Sequence, residues 1–298
     1  MLSAVIGFGE LLWDMLPSGR ALGGAPANFA YQVMKQGLNA YPISCVGPDT
    51  LGVDALRQLE SAGIDIRGIG RCELPTGTVD VYLDSLGVPQ YDIHEGVAWD
   101  ALQLTDHALE VAKSAAAICF GTLAQRTPGS SDVLNRVLAL LPTTAVRVFD
   151  VNLRQQYFNA ECLHAGCHHA DVLKLNDEEL PVVCALLNID FPTDVVCQTD
   201  DSLRGTIDRL RKEFALKTIA ITYGARGSLV AAADTWSWIE AESVAVVDTI
   251  GAGDAFTAGL VAGILRGEST LMAHQRAQDA AIKACLHRGA MGYISGYE

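Results

Sequence analysis

The run Asp248-Thr249-Ile250-Gly251-Ala252-Gly253-Asp254 brings together residue types that can hold an anion and move a proton. Small residues at the start of a helix leave backbone N–H groups uncovered, and the helix dipole adds positive potential there. Such a turn binds a phosphate without any basic side chain. Gly251, Ala252 and Gly253 supply the amides, and Asp254 stands beside the place a phosphate would take. A carboxylate in a first turn also stabilises a helix by itself, but Gly-Ala-Gly-Asp is more than a cap requires, and glycine lets backbone approach a ligand closely. A second stretch, Gly23-Gly24-Ala25-Pro26-Ala27-Asn28, also leads into a helix. Pro26 suits a helix start, Gly24 permits close approach, and Asn28 offers the donor and acceptor that a sugar hydroxyl uses. Taken alone, this stretch reads equally well as an ordinary strand-to-helix turn.

The elements that must position these groups alternate along the chain. Apolar runs at 4–9, 41–46, 116–121, 145–151, 171–175 and 218–223 predict strands; helices are expected at 26–37, 51–62, 130–141, 177–187 and 201–214. Continuous apolar strands separated by helices imply an α/β fold, a mostly parallel sheet with helices on both faces. Residues 76–83 and 88–94 instead alternate apolar with polar around Asp84-Ser85-Leu86-Gly87. They predict an antiparallel hairpin with one wet face, a small β lid over about 76–97, to which about 8–20 is a candidate addition. A second antiparallel patch is expected after 226 (GSLVAAA, WSWIE, ESVAVV), and helix from 252 onward. No repeat or long linker divides the chain, so 1–298 reads as a single domain.

Composition narrows the function classes. The 298 residues carry 21 basic and 35 acidic side chains, a net charge of −14, which repels nucleic acid and anionic membranes. The first basic residue is Arg20, and Glu10 and Asp14 interrupt the apolar start, unlike a secretory signal. No apolar run approaches the roughly 18 residues of a membrane helix. Eight scattered cysteines without a CxxC pair read as reduced thiols of a cytoplasmic protein. Cys162, His164, Cys167, His168 and His169 are metal-ligand types, yet cysteines five apart on a helix diverge by about 140° and structural zinc motifs use tighter spacing. Gly7-Phe8-Gly9 lacks the third glycine and the helix of a dinucleotide fingerprint.

The two glycine-rich stretches resemble the paired signatures of the ribokinase-like (PfkB) carbohydrate kinase family. Other stretches fall in the family's order: Gly9-Glu10-Leu11-Leu12-Trp13-Asp14, Asp150-Val151-Asn152-Leu153-Arg154 (D-x-N-x-R), Asn176-Asp177-Glu178-Glu179 (N-x-x-E) and Thr222 through Gly227. The resemblance implies a ribokinase-like fold and ATP-dependent phosphorylation of a sugar primary hydroxyl. Asp254 would be the base and the amides of Gly251, Ala252 and Gly253 the anion hole. Asp14, Gly24 and Asn28 would hold the sugar; Thr222, Gly224 and Gly227 would meet nucleotide; Asn176 and Glu179 would hold Mg²⁺ through water. Phosphoryl transfer needs positioning and charge stabilisation rather than covalent help, and Mg²⁺ accepts oxygen ligands while keeping waters, so a P-loop lysine is not required.

Glu10, the GGAPANFA version of the first signature, His94–Asp100 and Gly121–Arg126 are most similar to fructokinases. Arg126 and Arg154 at strand ends leave open a ketose hydroxyl, a substrate carboxylate or phosphate, or plain solvation, which keeps 2-keto-3-deoxygluconate as an alternative substrate. A nucleoside kinase and a non-catalytic sugar-binding protein are the competing classes. Gln278 and Lys283 depart from the family's adenine-side pattern. Carbonyls near Asp248–Ile250 and Gly289–Ser295 are where relatives hold K⁺, a site without a side-chain signature. Val79, Val81 and Leu83 suit a homodimer through the lid.

Overall fold

The apolar runs become the strands of one large sheet. In the computed structural model, which describes residues 4–16, 19–83, 89–192, 201–233 and 235–291, the strands are β1 (Ala4–Phe8), β2 (Leu12–Leu16), β3 (Gly19–Gly23), β4 (Asn39–Val46), β5 (Ile69–Arg71), β6 (Gly77–Leu83), β7 (Pro89–Ile93), β8 (Ala117–Phe120), β9 (Val146–Asp150), β10 (Val172–Asn176), β11 (Thr218–Thr222), β12 (Ser228–Ala232) and β13 (Thr235–Ile239). The helices are α1 (Ala25–Lys35), α2 (Thr50–Ser61), α3 (Asp106–Ser114), α4 (Pro128–Leu140), α5 (Ala160–His169), α6 (Glu179–Leu186), α7 (Asp201–Phe214), α8 (Ala252–Leu265) and α9 (Thr270–Cys285).

Among the described residues the large sheet has the order β13-β12-β11-β10-β9-β8-β1-β4-β5. It is parallel from β11 to β5, and β12 and β13 add an antiparallel edge. Side chains alternate between two cores. Ile6, Phe8, Ile118, Phe120, Phe149 and Leu173 pack under α3 to α7. Val5, Cys119, Val148, Val172 and Ala220 pack under α1, α2, α8 and α9. Burying both faces accounts for strands with apolar residues at successive positions, each large side chain contributing roughly 1.5–3 kcal/mol. The strands' carboxyl ends open on one side, where a parallel sheet builds its ligand crevice.

A separate sheet of order β3-β2-β6-β7 stands over that side. The hairpin β6–β7 is antiparallel, and β2 joins it in parallel through Asp14 beside Val79; the expected turn Asp84–Gly87 lies outside the described residues. Val79 pairs with Ile93 and Val81 with Tyr91, and all four line the cleft between the sheets. The apolar stripe read as a dimer surface therefore faces inward; Leu83's side chain lies outside the described part. Asp80, Tyr82 and Asp92 are on the opposite face.

One expected strand is absent. The segment before α8 forms no strand, and Val246 and Val247 are 55% and 61% exposed. The Val247 amide donates instead to the Cys285 carbonyl (2.9 Å), so the chain is tied to the end of α9 and finds no strand to pair with.

Between α9 and β12–β13, His274 is fully buried, bonded to Ser228 Oγ (2.8 Å) and Ser237 Oγ (2.7 Å). Ser228 also donates to Gln278 Oε1 (2.7 Å), which turns Gln278 into this network. Burial lowers the imidazole pKa to about 4, so folding holds it neutral. A group that must charge while buried withdraws stability as pH falls below its unfolded value of about 6.5. Between pH 7 and pH 5 the wild type should lose stability relative to His274→Gln in denaturant unfolding, whatever the other groups contribute to both; an identical pH response in the two would remove His274 as a source of pH dependence.

Candidate active site

The cleft between the two sheets measures about 1400 Å³. Of the residues singled out from sequence, Asp14, Gly24, Asn28, Arg154, Asn176, Thr222, Gly224, Gly251, Gly253 and Asp254 line it. Arg126, Gly227, Ala252 and Glu179 do not.

Its centre is the first turn of α8. Gly251 caps the helix with φ 79°, a left-handed conformation that L side chains rarely adopt. A Cβ there would also fall 2.5 Å from the Ala290 Cβ. Ala252's amide leans back on the Thr249 carbonyl (3.2 Å), so the two flanking glycines carry the exposed part of the cradle. Gly253 has a different reason to be glycine: a Cβ would sit 3.0 Å from the Lys174 ammonium.

Asp254 is the third residue of α8. Asn28, on α1, donates from Nδ2 to its Oδ2 at 2.9 Å. The Asn28 Oδ1 is buried with no partner among the described residues, an acceptor left for a ligand hydroxyl. Burial raises the Asp254 pKa to about 6, with Asp150 adding to the rise; Asn28, Lys174 and Arg154 oppose it. Glu10 is pushed up to about 7 by burial while accepting from the Ala25 amide (3.2 Å). Asp14 rises to about 6, again by burial and against Arg154. The end of the cleft lined by Glu10, Asp14 and Asp254 thus collects three carboxyl groups whose protons are held near neutral pH.

Lys174 and Asp150 form a buried pair at 3.0 Å, and Thr257 donates to the other Asp150 oxygen at 2.8 Å. Both oxygens of that carboxylate are held, and the neighbouring carboxylates keep the lysine charged against its burial. Sequence reasoning passed over Lys174. A signal was present: a cation in the middle of the otherwise apolar strand VLKLN.

Arg126 is a correction. Its guanidinium makes a fork to Asp100 (two contacts at 2.7 Å) and donates to the His94 carbonyl (2.6 Å). It lies 3.8 Å from the Trp99 ring centre and 4.7 Å from that of Tyr157. With its side chain 4% exposed, it fastens the end of the small sheet to the body and does not line the cleft. Gly227 likewise serves the turn into β12, against the Ile239 carbonyl. Thr222 and Gly224 open onto the cleft, flanked by an Arg226–Asp177 ion pair.

Asn176 and Glu179 form a reciprocal capping box. Asn176 Oδ1 accepts the amides of Glu178 (2.9 Å) and Glu179 (2.8 Å), and Glu179 Oε2 accepts the Asn176 amide (2.8 Å). Glu179 Oε1 accepts the Leu153 amide (2.8 Å). These oxygens are all engaged, so the pair fits the water shell of a hydrated Mg²⁺ and not its inner shell. Asp248 accepts the Ile250 and Gly289 amides (3.1 and 2.9 Å), joining the two segments expected to hold K⁺; residues 292–295 lie outside the described part. In the cysteine–histidine stretch, Cys167 is buried in the core and His164 and His168 pack edge-on against Phe214.

Residues 19–294 match the pfkB family carbohydrate kinases. The fructokinase of Klebsiella pneumoniae is 30% identical over 269 residues, covering 86% of this chain and 82% of that protein. Two crystal structures share the fold. Xylella fastidiosa fructokinase with bound ATP superposes with a TM-score of 0.81 at 23% identity, over 98% of this chain and 94% of that one. Thermotoga maritima 2-dehydro-3-deoxygluconokinase gives 0.83 at 19% identity, over 98% and 96%. No described helix is long and apolar enough to cross a membrane. With an acid and uncovered glycine amides at the mouth of a late helix, and a family match over nearly its whole length, this chain belongs to the pfkB family of carbohydrate kinases.

Proposed function

We propose that the protein transfers the γ-phosphoryl group of ATP to a primary hydroxyl of fructose. The observation that carries this reading is the Asp254 carboxylate, fixed by Asn28 at the N-terminal turn of α8 and poised near neutral pH. The unpartnered Asn28 Oδ1 orients the sugar. Asp254 accepts the hydroxyl proton as the oxygen bonds to phosphorus, and the bond to the β-phosphate oxygen breaks to release ADP. The amides of Gly251 and Gly253 meet the charge on the phosphoryl oxygens. Asn176 and Glu179 would hold a hydrated Mg²⁺ through its waters, and the ion would supply neutralisation of phosphate charge. The small sheet, by closing over the sugar, keeps water from competing for ATP.

The electrostatics favour a neutral sugar. Glu10, Asp14 and Asp254 gather at the sugar end, and Arg126 is paired with Asp100, which leaves Arg154, with Lys174 beside Asp254, to offset them. A sugar acid such as 2-keto-3-deoxygluconate would bring a fourth negative group.

Asp254→Asn preserves shape and Asn28's neighbour while removing the base. Its turnover should fall by roughly 10²–10⁴-fold, and a folded variant keeping more than about a tenth of the wild-type rate contradicts the assignment. Because the carboxylate form is the base and its pKa is raised to about 6, wild-type activity should drop as pH falls through 6. A flat profile from pH 7 to 5 would count against it. Screening fructose, ribose, 2-keto-3-deoxygluconate and adenosine for ADP release should rank fructose first; preference for the sugar acid would reverse the electrostatic argument. Chelation by EDTA should abolish turnover and added Mg²⁺ restore it, whereas full activity in the chelator removes the metal.

A further inference from the structure

The lysine behind the anion hole has no part in the steps above. Lys174 projects from β10 so that its ammonium lies beside Gly253, in the space a Cβ would need. It also lines the cleft. Its side chain is 9% exposed, which fixes the charge in place instead of leaving it to sweep through solvent. One of its three N–H groups is directed at Asp150 Oδ1 (3.0 Å). Asp150 is itself held from the far side by Thr257, one turn along α8 and bonded also to the Gly253 carbonyl at 3.0 Å. The strand, the acid and the helix thus fix the ammonium at the level of the cradle.

An ammonium at that place, kept charged by the carboxylates around it, strengthens a field that already favours an anion. The N-terminus of α8 already carries positive potential, and Lys174 adds a full charge beside it. Asp150 offsets part of this from behind. An anion arriving in front, against the Gly251 and Gly253 amides, would be attracted by the amides and the ammonium together. Resting on the sugar-kinase reading, the geometry points to Lys174 as a catalytic residue that contacts the phosphoryl group in transit. It supplies from a strand the point charge that P-loop enzymes take from their glycine-rich loop. No new bond is made by it; the lysine stays protonated while charge builds on the phosphoryl and leaving oxygens.

The competing role is that of a counter-ion for buried Asp150, and the two roles separate by a double-mutant cycle. Lys174→Met should lower kcat by roughly 10²–10³-fold, the usual cost of one transition-state donor, with the sugar KM changed less than about threefold. Affinity for ADP–aluminium fluoride, a mimic of the transferring group, should fall in parallel while affinity for ADP holds. Lys174→Arg, which keeps the charge, should recover part of the rate. The double variant Asp150→Asn with Lys174→Met removes both charges, so it should fold even where the single variant does not. It should stay well below the Asp150→Asn rate. Overturning results are a folded Lys174→Met with near-normal turnover, or a double variant as fast as Asp150→Asn alone, which would make Lys174 only a counter-ion. Wild type inactive on every sugar would instead sink the kinase reading, and this proposal with it.

Discussion

A carboxylate taken out of water at the mouth of a helix is the constraint around which this molecule is arranged. Desolvation disfavours the charged form, so Asp254 can act as a base near neutral pH only if nearby donors and cations limit that penalty. Its partners come from distant parts of the chain. Asn28 lies 226 residues earlier, and Lys174 and Asp150 come from adjacent strands. The contact of α1 with α8 is therefore part of the site as well as of the core. Gln32 reinforces it by donating to the carbonyl of Ala290 at 3.0 Å, the residue against which Gly251 is wedged. The apolar length of α8 has the same purpose: a helix sandwiched between α1, α9 and the sheet cannot shift its first turn.

Charge placement divides the cleft into two ends. Carboxyl groups with raised pKa values gather where hydroxyls would bind, and helix amides and a fixed ammonium gather where phosphate would bind. Net charge of the chain is strongly negative, so nothing in the overall field draws ATP in; the attraction is local and built from backbone. Arg126 shows how a cation is kept out of that balance. Packed over the rings of Trp99 and Tyr157 and forked to Asp100 through Nε and Nη2, it joins the small sheet to the body.

Much of this was legible in the residues. The strands at 4–8, 117–120, 146–150, 172–176 and 218–222 announce themselves because both faces are buried and apolar residues run through neighbouring positions instead of alternating with polar ones. Asp254 with its glycines stood out because Gly-Ala-Gly-Asp is more than a helix cap requires. Other features were not. β2 and β3 are half-exposed and short, so they carry no clear period. α5 ends in histidines and has three buried positions, too few for a strong helical pattern. The segment with Val246 and Val247 reads as a strand because β-propensity is local, while a strand also needs a neighbour with free backbone groups. Arg126 at a strand end resembled a ligand contact because sequence shows its position and not the tertiary partner, Asp100, that claims it. Lys174 was overlooked for the opposite reason: its ligand-facing neighbour, Gly253, is 79 residues away and meets it only in the fold.

A crystal structure with a non-hydrolysable ATP analogue and fructose bound together tests the central claim most directly. The account predicts the terminal phosphate seated on the Gly251 and Gly253 amides, with a primary hydroxyl within hydrogen-bonding distance of the Asp254 carboxylate. A terminal phosphate bound away from the first turn of α8, or a sugar whose hydroxyls turn from Asp254, would contradict it.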